Sequence, residues 1–316
     1  MPFVEPDLAI HAAGPWEHRT IAANGARFHL VEAGTGPAVV MLHGFPTFWW
    51  TWRQQITTLA DAGYRAIAMD LRGYGGSDHT PHGYDPFTLC QDIASVIECL
   101  GERQAIIMGH GWGGLLAWSM PVLQPQVTKS VIAVSAPHPR TFRRAALRSG
   151  QFARLGYVLG LQLPFLPERS LTRRNGERVG NLLDRWSGSP AWLQQSADDT
   201  GTTQRAWFQS AFLRWPTAHT AIEYHRWSVR SLLRADGRRY YQAMRKNIDV
   251  PVLQIQGLVD PMVLASSCPG SADLVDADYD YREMPTGHFP HEESPEMFAD
   301  LVVAWLDKVG TGDRRA

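Results

Sequence analysis

Gly109-His110-Gly111-Trp112-Gly113-Gly114 decides how the chain is read. An apolar run, 105–108, precedes these six residues and a helical pattern, 112–123, follows them. Two strand–turn–helix motifs compete for the stretch. It spells the G-x-G-x-x-G of a dinucleotide site, but no Asp or Glu ends the next strand, where a ribose would be held. Trp112 would also crowd a pyrophosphate. The better match is a nucleophile elbow, small-x-nucleophile-x-small, in which flanking glycines let strand and helix backbones pass close together.

Outward from the turn, short apolar runs alternate with amphipathic stretches, the pattern of a mainly parallel sheet with crossover helices. Strands are expected at 26–31, 38–42, 65–68, 105–108, 130–134, 250–255 and 279–283, and helices at 48–62, 86–100, 112–123 and 295–309. Asp85 before Pro86 and Ser294 before Pro295 pair an N-cap with a first-turn proline.

Composition bounds the function classes. The chain has 316 residues, is 44% hydrophobic and 19% charged, and carries a net charge of −1. That is ordinary globular composition with enough material for a sizeable core. No apolar run reaches the ~18 residues of a membrane span, and the N-terminus lacks the pattern of a signal peptide. Residues 140–247 hold 19 Lys and Arg against 7 Asp and Glu, while the remainder holds 11 against 24. Such a break marks a boundary at each end of the basic block, which reads as all-helical. It contains no nucleic-acid reader motif. Three cysteines without metal or disulfide spacing point to a reducing compartment, so a cytoplasmic protein is expected. The residues call for no cofactor and no metal.

Beyond the elbow, Asp260 follows the strand at 250–255, and His288 follows that at 279–283. Nucleophile, acid and histidine in that order, each just past a strand, is the arrangement of a hydrolase triad. With His43-Gly44-Phe45-Pro46 and Asp70-Leu71-Arg72-Gly73-Tyr74-Gly75-Gly76-Ser77-Asp78, the chain resembles the epoxide hydrolase family of the α/β-hydrolase fold over nearly its full length. The resemblance implies an α/β architecture, an eight-stranded mostly parallel sheet with an inserted helical cap. The core would span 1–139 and 248–316, and the cap 140–247. Phe45 and Trp112 would supply oxyanion-hole N–H groups. The cap would supply two tyrosines to polarise the epoxide oxygen. Tyr157 matches the first and Tyr224 the second, although His225 stands where the family often has an arginine.

The chain departs from that pattern at the nucleophile. The family's aspartate falls on Gly111, and no Ser or Cys lies within two positions. The resemblance implies carboxylate attack on an epoxide carbon, then hydrolysis of the ester by water activated by His288 and Asp260. Without the carboxylate that ester cannot form. Three readings of Gly111 stay open: a weak or altered hydrolase, a non-catalytic binding protein on a hydrolase scaffold, or an inactivated form of an active enzyme. The expected ligand is small and apolar or lipid-like, and the basic cap suits an acidic head group. A homodimer is compatible with all three.

Overall fold

The computed structural model describes residues 4–148, 150–154 and 156–312. Its centre is one eight-stranded sheet built from β1 (Glu17–Ala23), β2 (Ala26–Ala33), β3 (Ala38–Leu42), β4 (Arg65–Met69), β5 (Ala105–His110), β6 (Thr128–Val134), β7 (Val252–Gly257) and β8 (Tyr279–Met284). The spatial order is β1-β2-β4-β3-β5-β6-β7-β8. Only the β1–β2 and β2–β4 pairings are antiparallel. The expected α/β-hydrolase sheet is therefore present.

Parallel strands covered on both faces read as continuous apolar runs. β3, Ala-Val-Val-Met-Leu, is buried at every position. Each fully buried Val or Leu contributes about 1.5–3 kcal/mol, so the middle of the sheet is fixed by composition alone. Helices α1 (Pro6–Ile10), α2 (Arg53–Asp61), α3 (Pro86–Cys99) and α4 (Trp112–Leu123) accompany the first five strands. The Asp85 side chain caps α3, accepting from the N–H groups of Phe87 and Thr88 at 3.1 Å each.

Two local readings change. The strand β1 was not expected, because its Glu-His-Arg-Thr start is mostly exposed at the sheet edge; pairing with β2 forms it. The helix expected at 48–62 begins as a tight 3₁₀ turn, Trp49–Trp52, before α2. There the Trp49 N–H donates to Asp70 Oδ1 at 2.9 Å and its indole to the Ile10 carbonyl at 2.8 Å. Those anchors fix the first turn from outside the helix. The four residues Phe48, Trp49, Trp50 and Trp52 are buried as packing.

Between β6 and β7 the named elements are helical: α5 (Pro139–Arg148), α6 (Gln151–Arg154), α7 (Gly156–Gly160), α8 (Leu166–Trp186, kinked at 173–176), α9 (Gln204–Leu213), α10 (Thr217–Arg230) and α11 (Ala235–Ala243). Much of this basic segment's pairing is internal, as in Arg205–Asp184, Arg226–Glu168 and Arg226–Glu223. Its seam with the sheet layer is aromatic: Phe212 on Phe45, Phe208 on Phe48, and Trp207 on Trp50. The chain closes with α12 (Pro290–Glu293) and α13 (Pro295–Gly312). Among the described residues no helix is long and apolar enough to cross a membrane.

Candidate active site

The turn between β5 and α4 has the expected tight geometry. A Cβ on Gly109 would strike the Gly113 carbonyl, and one on Gly113 would strike the Leu42 carbonyl. Gly111 sits at the tip with φ 53° and ψ −112°, a backbone that strains any residue with a side chain by about 1–3 kcal/mol. Space is not the obstacle. A Cβ there would lie 3.5 Å from His288 Nε2 and 3.8 Å from Gly44 Cα, both ordinary contacts.

His288 and Asp260 come from the loops after β8 and β7. His288 Nδ1 is 2.8 Å from Asp260 Oδ2. Asp260 is held by donors on both oxygens: the N–H groups of Met262 and Val263 at 2.7 and 2.9 Å, and Gln256 Nε2 at 3.1 Å. With the carboxylate accepting throughout, His288 carries its proton on Nδ1 and turns the Nε2 lone pair toward Gly111. His110, beside the tip, points the other way. It is buried, with Nε2 donating to the His288 carbonyl at 2.8 Å.

Above this pair lies a cavity of about 440 Å³ whose wall is mainly apolar, with Leu115, Phe142, Leu159, Trp186, Val229 and Met262 among its residues. Phe45, Gly111, Trp112 and His288 face it from the sheet layer, and Tyr157 and His225 from the helical segment. The Trp112 N–H stands in the first turn of α4, where no intrahelical acceptor exists. Trp186 packs on both Tyr157 and His288, and Arg143 lies over the Tyr241 ring at 4.4 Å. Motif reasoning missed Trp186, Gln256 and Arg143, because a wall or supporting residue carries no sequence signature.

The two tyrosines part company. Tyr157 borders the cavity, its hydroxyl 3.2 Å from His225 Nε2, and enclosure raises its phenol, so it stays an O–H donor. Tyr224 is fully buried and its hydroxyl donates to the Arg72 carbonyl at 2.7 Å; it is not among the cavity-lining residues. In this structure the expected second donor is thus committed elsewhere, because α10 turns its next residue, His225, to the cavity.

His225 cannot replace it while neutral. Nδ1 faces the Ala221 carbonyl at 3.4 Å, so Nε2 is the acceptor, taking the Trp112 indole N–H at 3.1 Å and the Tyr157 hydroxyl. Burial lowers the imidazole to about 4. A histidine depressed from 6.5 stabilises the fold fully above pH 6.5, and that contribution is lost as pH falls toward 4. The His225 ring is therefore expected to titrate near pH 4 by NMR, with stability falling over that window. A midpoint near 6.5 would contradict the buried neutral ring.

Two further histidines in this region are engaged in the fold. His291 Nε2 meets Thr51 Oγ1 at 2.8 Å, and Glu292 pairs with Arg53 at 2.8 Å. His79 is half-buried, its Nε2 2.9 Å from Thr217 Oγ1 of α10.

Comparison with known proteins agrees with this architecture. The sequence model of the α/β hydrolase fold matches residues 37–295. The AB hydrolase superfamily protein YfhM of Bacillus subtilis is 37% identical over 205 residues, 62% of this chain and 70% of that one. Epoxide hydrolase 3 of Xenopus tropicalis is 30% identical over 306 residues, 95% of this chain and 80% of that one. The crystal structure of epoxide hydrolase A from Mycobacterium thermoresistibile superposes with a TM-score of 0.76 at 25% identity, covering 92% of this chain and 98% of that one. The chain belongs to the α/β-hydrolase fold family and stands among its epoxide hydrolases, a hydrolase by membership.

Proposed function

We propose that this protein retains the water-activating half of an epoxide hydrolase site and lacks the half that makes the ester. Supporting that reading, the Asp260–His288 pair faces a side-chain-sized gap at Gly111, with His288 Nε2 3.5 Å from the Cβ position. In this reading the helical segment at 140–247 is the cap, and Tyr157 donates to the epoxide oxygen. Phe45 and Trp112 offer the oxyanion-hole N–H groups, and Tyr224 acts from behind by fixing α10 to Arg72. The activity left to the chain with Gly111 is His288-assisted attack of water on the epoxide, giving a vicinal diol slowly.

The absent side chain at Gly111 favours a second reading, a binding protein that holds an apolar epoxide or lipid without turning it over. Assay of the parent chain beside Gly111→Asp on a panel of apolar epoxides separates the two. Gain of diol formation in the variant supports the hydrolase site. Tight binding by both chains with turnover by neither supports the binding protein.

The substrate is apolar, and Arg143 at the cavity wall suits an anionic head group. As an exposed guanidinium it is worth up to about 1 kcal/mol. Arg143→Ala is therefore expected to raise the apparent Kd of a carboxylated epoxide up to about fivefold at low salt, leaving its methyl ester unaffected. Equal effects on acid and ester would remove Arg143 from substrate selection.

A further inference from the structure

Away from the cavity, His11, His18 and His29 meet where the N-terminal segment crosses β1 and β2. One ring nitrogen from each lies within 4.8 Å of the others. The His18 and His29 rings stack at 5.2 Å, with His18 Nδ1 2.9 Å from His29 Nε2. The His11 ring stands edge-on to both, 5.8 and 5.1 Å away.

The outer partners decide where the protons are. His29 Nδ1 faces Asp70 Oδ2 at 2.8 Å. That carboxylate also accepts from the Gly76 and Trp49 N–H groups, so it accepts from His29 and Nδ1 bears the hydrogen. His18 Nε2 faces the Ala12 carbonyl at 2.9 Å, an obligate acceptor, so that nitrogen bears its hydrogen as well. On neutral rings, the two nitrogens facing each other at 2.9 Å are then both lone pairs. Such a contact is repulsive unless an extra proton or a metal ion lies between them.

We propose that His11, His18 and His29 form a binding site for a divalent transition-metal ion of the zinc class. Three neutral imidazoles are the donor set such ions prefer. Asp70 and the Ala12 carbonyl already orient two of the rings through their remote N–H groups, as outer-shell partners do. Bonds of about 2.0–2.1 Å to each nitrogen require the facing pair to open by a few tenths of an ångström and the exposed His11 ring to swing in from as far as 4.8 Å. His11 is exposed and gives the ion its entry, and water completes the coordination. None of the three histidines lines the cavity.

The site would clasp the N-terminal segment to the sheet. That segment also holds the helical layer: Asp7 pairs with Arg214 at 3.2 Å, and the Val4 carbonyl accepts from Ser210 of α9. Metal binding at His11 would therefore strengthen a strap from sheet edge to helical layer.

The test uses the full chain, stripped with chelator and titrated with zinc chloride by calorimetry, and with cobalt(II) by visible absorption. One equivalent is expected to bind, with intense d–d bands of low-coordinate cobalt and a Tm higher by a few degrees in excess zinc. His11→Ala removes an exposed ligand without disturbing the His18–His29 pair, and is expected to weaken binding at least roughly tenfold. His11→Ala/His18→Gln should abolish it. Zinc binding equal in the parent and His11→Ala chains would overturn the proposal. So would a histidine NMR spectrum showing a proton between His18 and His29 that one equivalent of zinc leaves in place.

Discussion

Gly111→Asp is expected to raise diol formation from apolar epoxides by roughly 10³ to 10⁶. Loss of the nucleophile from a hydrolase triad costs on the order of 10⁶ in turnover, and the rest of such a site retains roughly 10³–10⁴ over water. Adding a carboxylate at the tip reverses that loss if the remaining groups stand in place. At 1.36 kcal/mol per factor of ten, the gain corresponds to about 4–8 kcal/mol of barrier. The geometry permits it: among the described residues and apart from its chain neighbours, only His288 Nε2 and Gly44 Cα come within 4 Å of a Cβ at position 111, so the carboxylate would extend into the cavity. The same substitution places a side chain at φ 53°, where strain costs about 1–3 kcal/mol.

Activity and stability should therefore move in opposite directions. Gly111→Ala carries the strain without the carboxylate, and is expected to lose stability without gaining turnover. Diol formation unchanged by Gly111→Asp, with the parent chain already measurably active, would assign the chemistry to water and His288 alone. No turnover in either chain, despite tight epoxide binding, would assign a binding role.

How far the sequence carries this site depends on what each residue answers to. β3, β5 and β6 are legible because each holds an unbroken apolar run, Ala38–Leu42, Ala105–Met108 and Val131–Val134, buried between helices. β1 is not, because an edge strand with Glu17, Arg19 and Thr20 exposed owes its form to its partner. His288 and Asp260 are legible from chain order, since each follows a strand and the fold delivers strand ends to one edge. Tyr224 shows the limit. Adjacent helical residues differ by about 100° in direction, so a motif matched to within one position leaves the facing residue open. Only the packing of α10 against Arg72 and Trp112 gives the cavity to His225. The three-histidine cluster was invisible for a related reason. Its members come from the N-terminal segment and two strands, and their proximity depends on a strand that the sequence pattern did not reveal.

In a chain carrying Gly111→Asp, a further His288→Gln is expected to trap the ester. Attack by the new carboxylate breaks an epoxide C–O bond, and the released oxygen takes a proton from Tyr157 or water. Neither event requires His288. Hydrolysis does, because water must lose a proton as it adds to the ester carbonyl, and Nε2 is the lone pair facing position 111. Loss of a positioned general base costs roughly 10²–10⁴, so turnover should fall by that factor while ester formation persists. Intact-protein mass should then rise by the full mass of one epoxide, since addition expels nothing. Asp260→Asn in the same background should do likewise. An amide N–H aimed at His288 Nδ1 would move the ring proton to Nε2 and leave the cavity without a base. Tyr157→Phe should differ from both, slowing appearance of the adduct without prolonging its life. Full turnover in the His288→Gln double variant would remove His288 as the base. Loss of both adduct and turnover would place the histidine in the first step instead, where its Nε2 faces the new carboxylate.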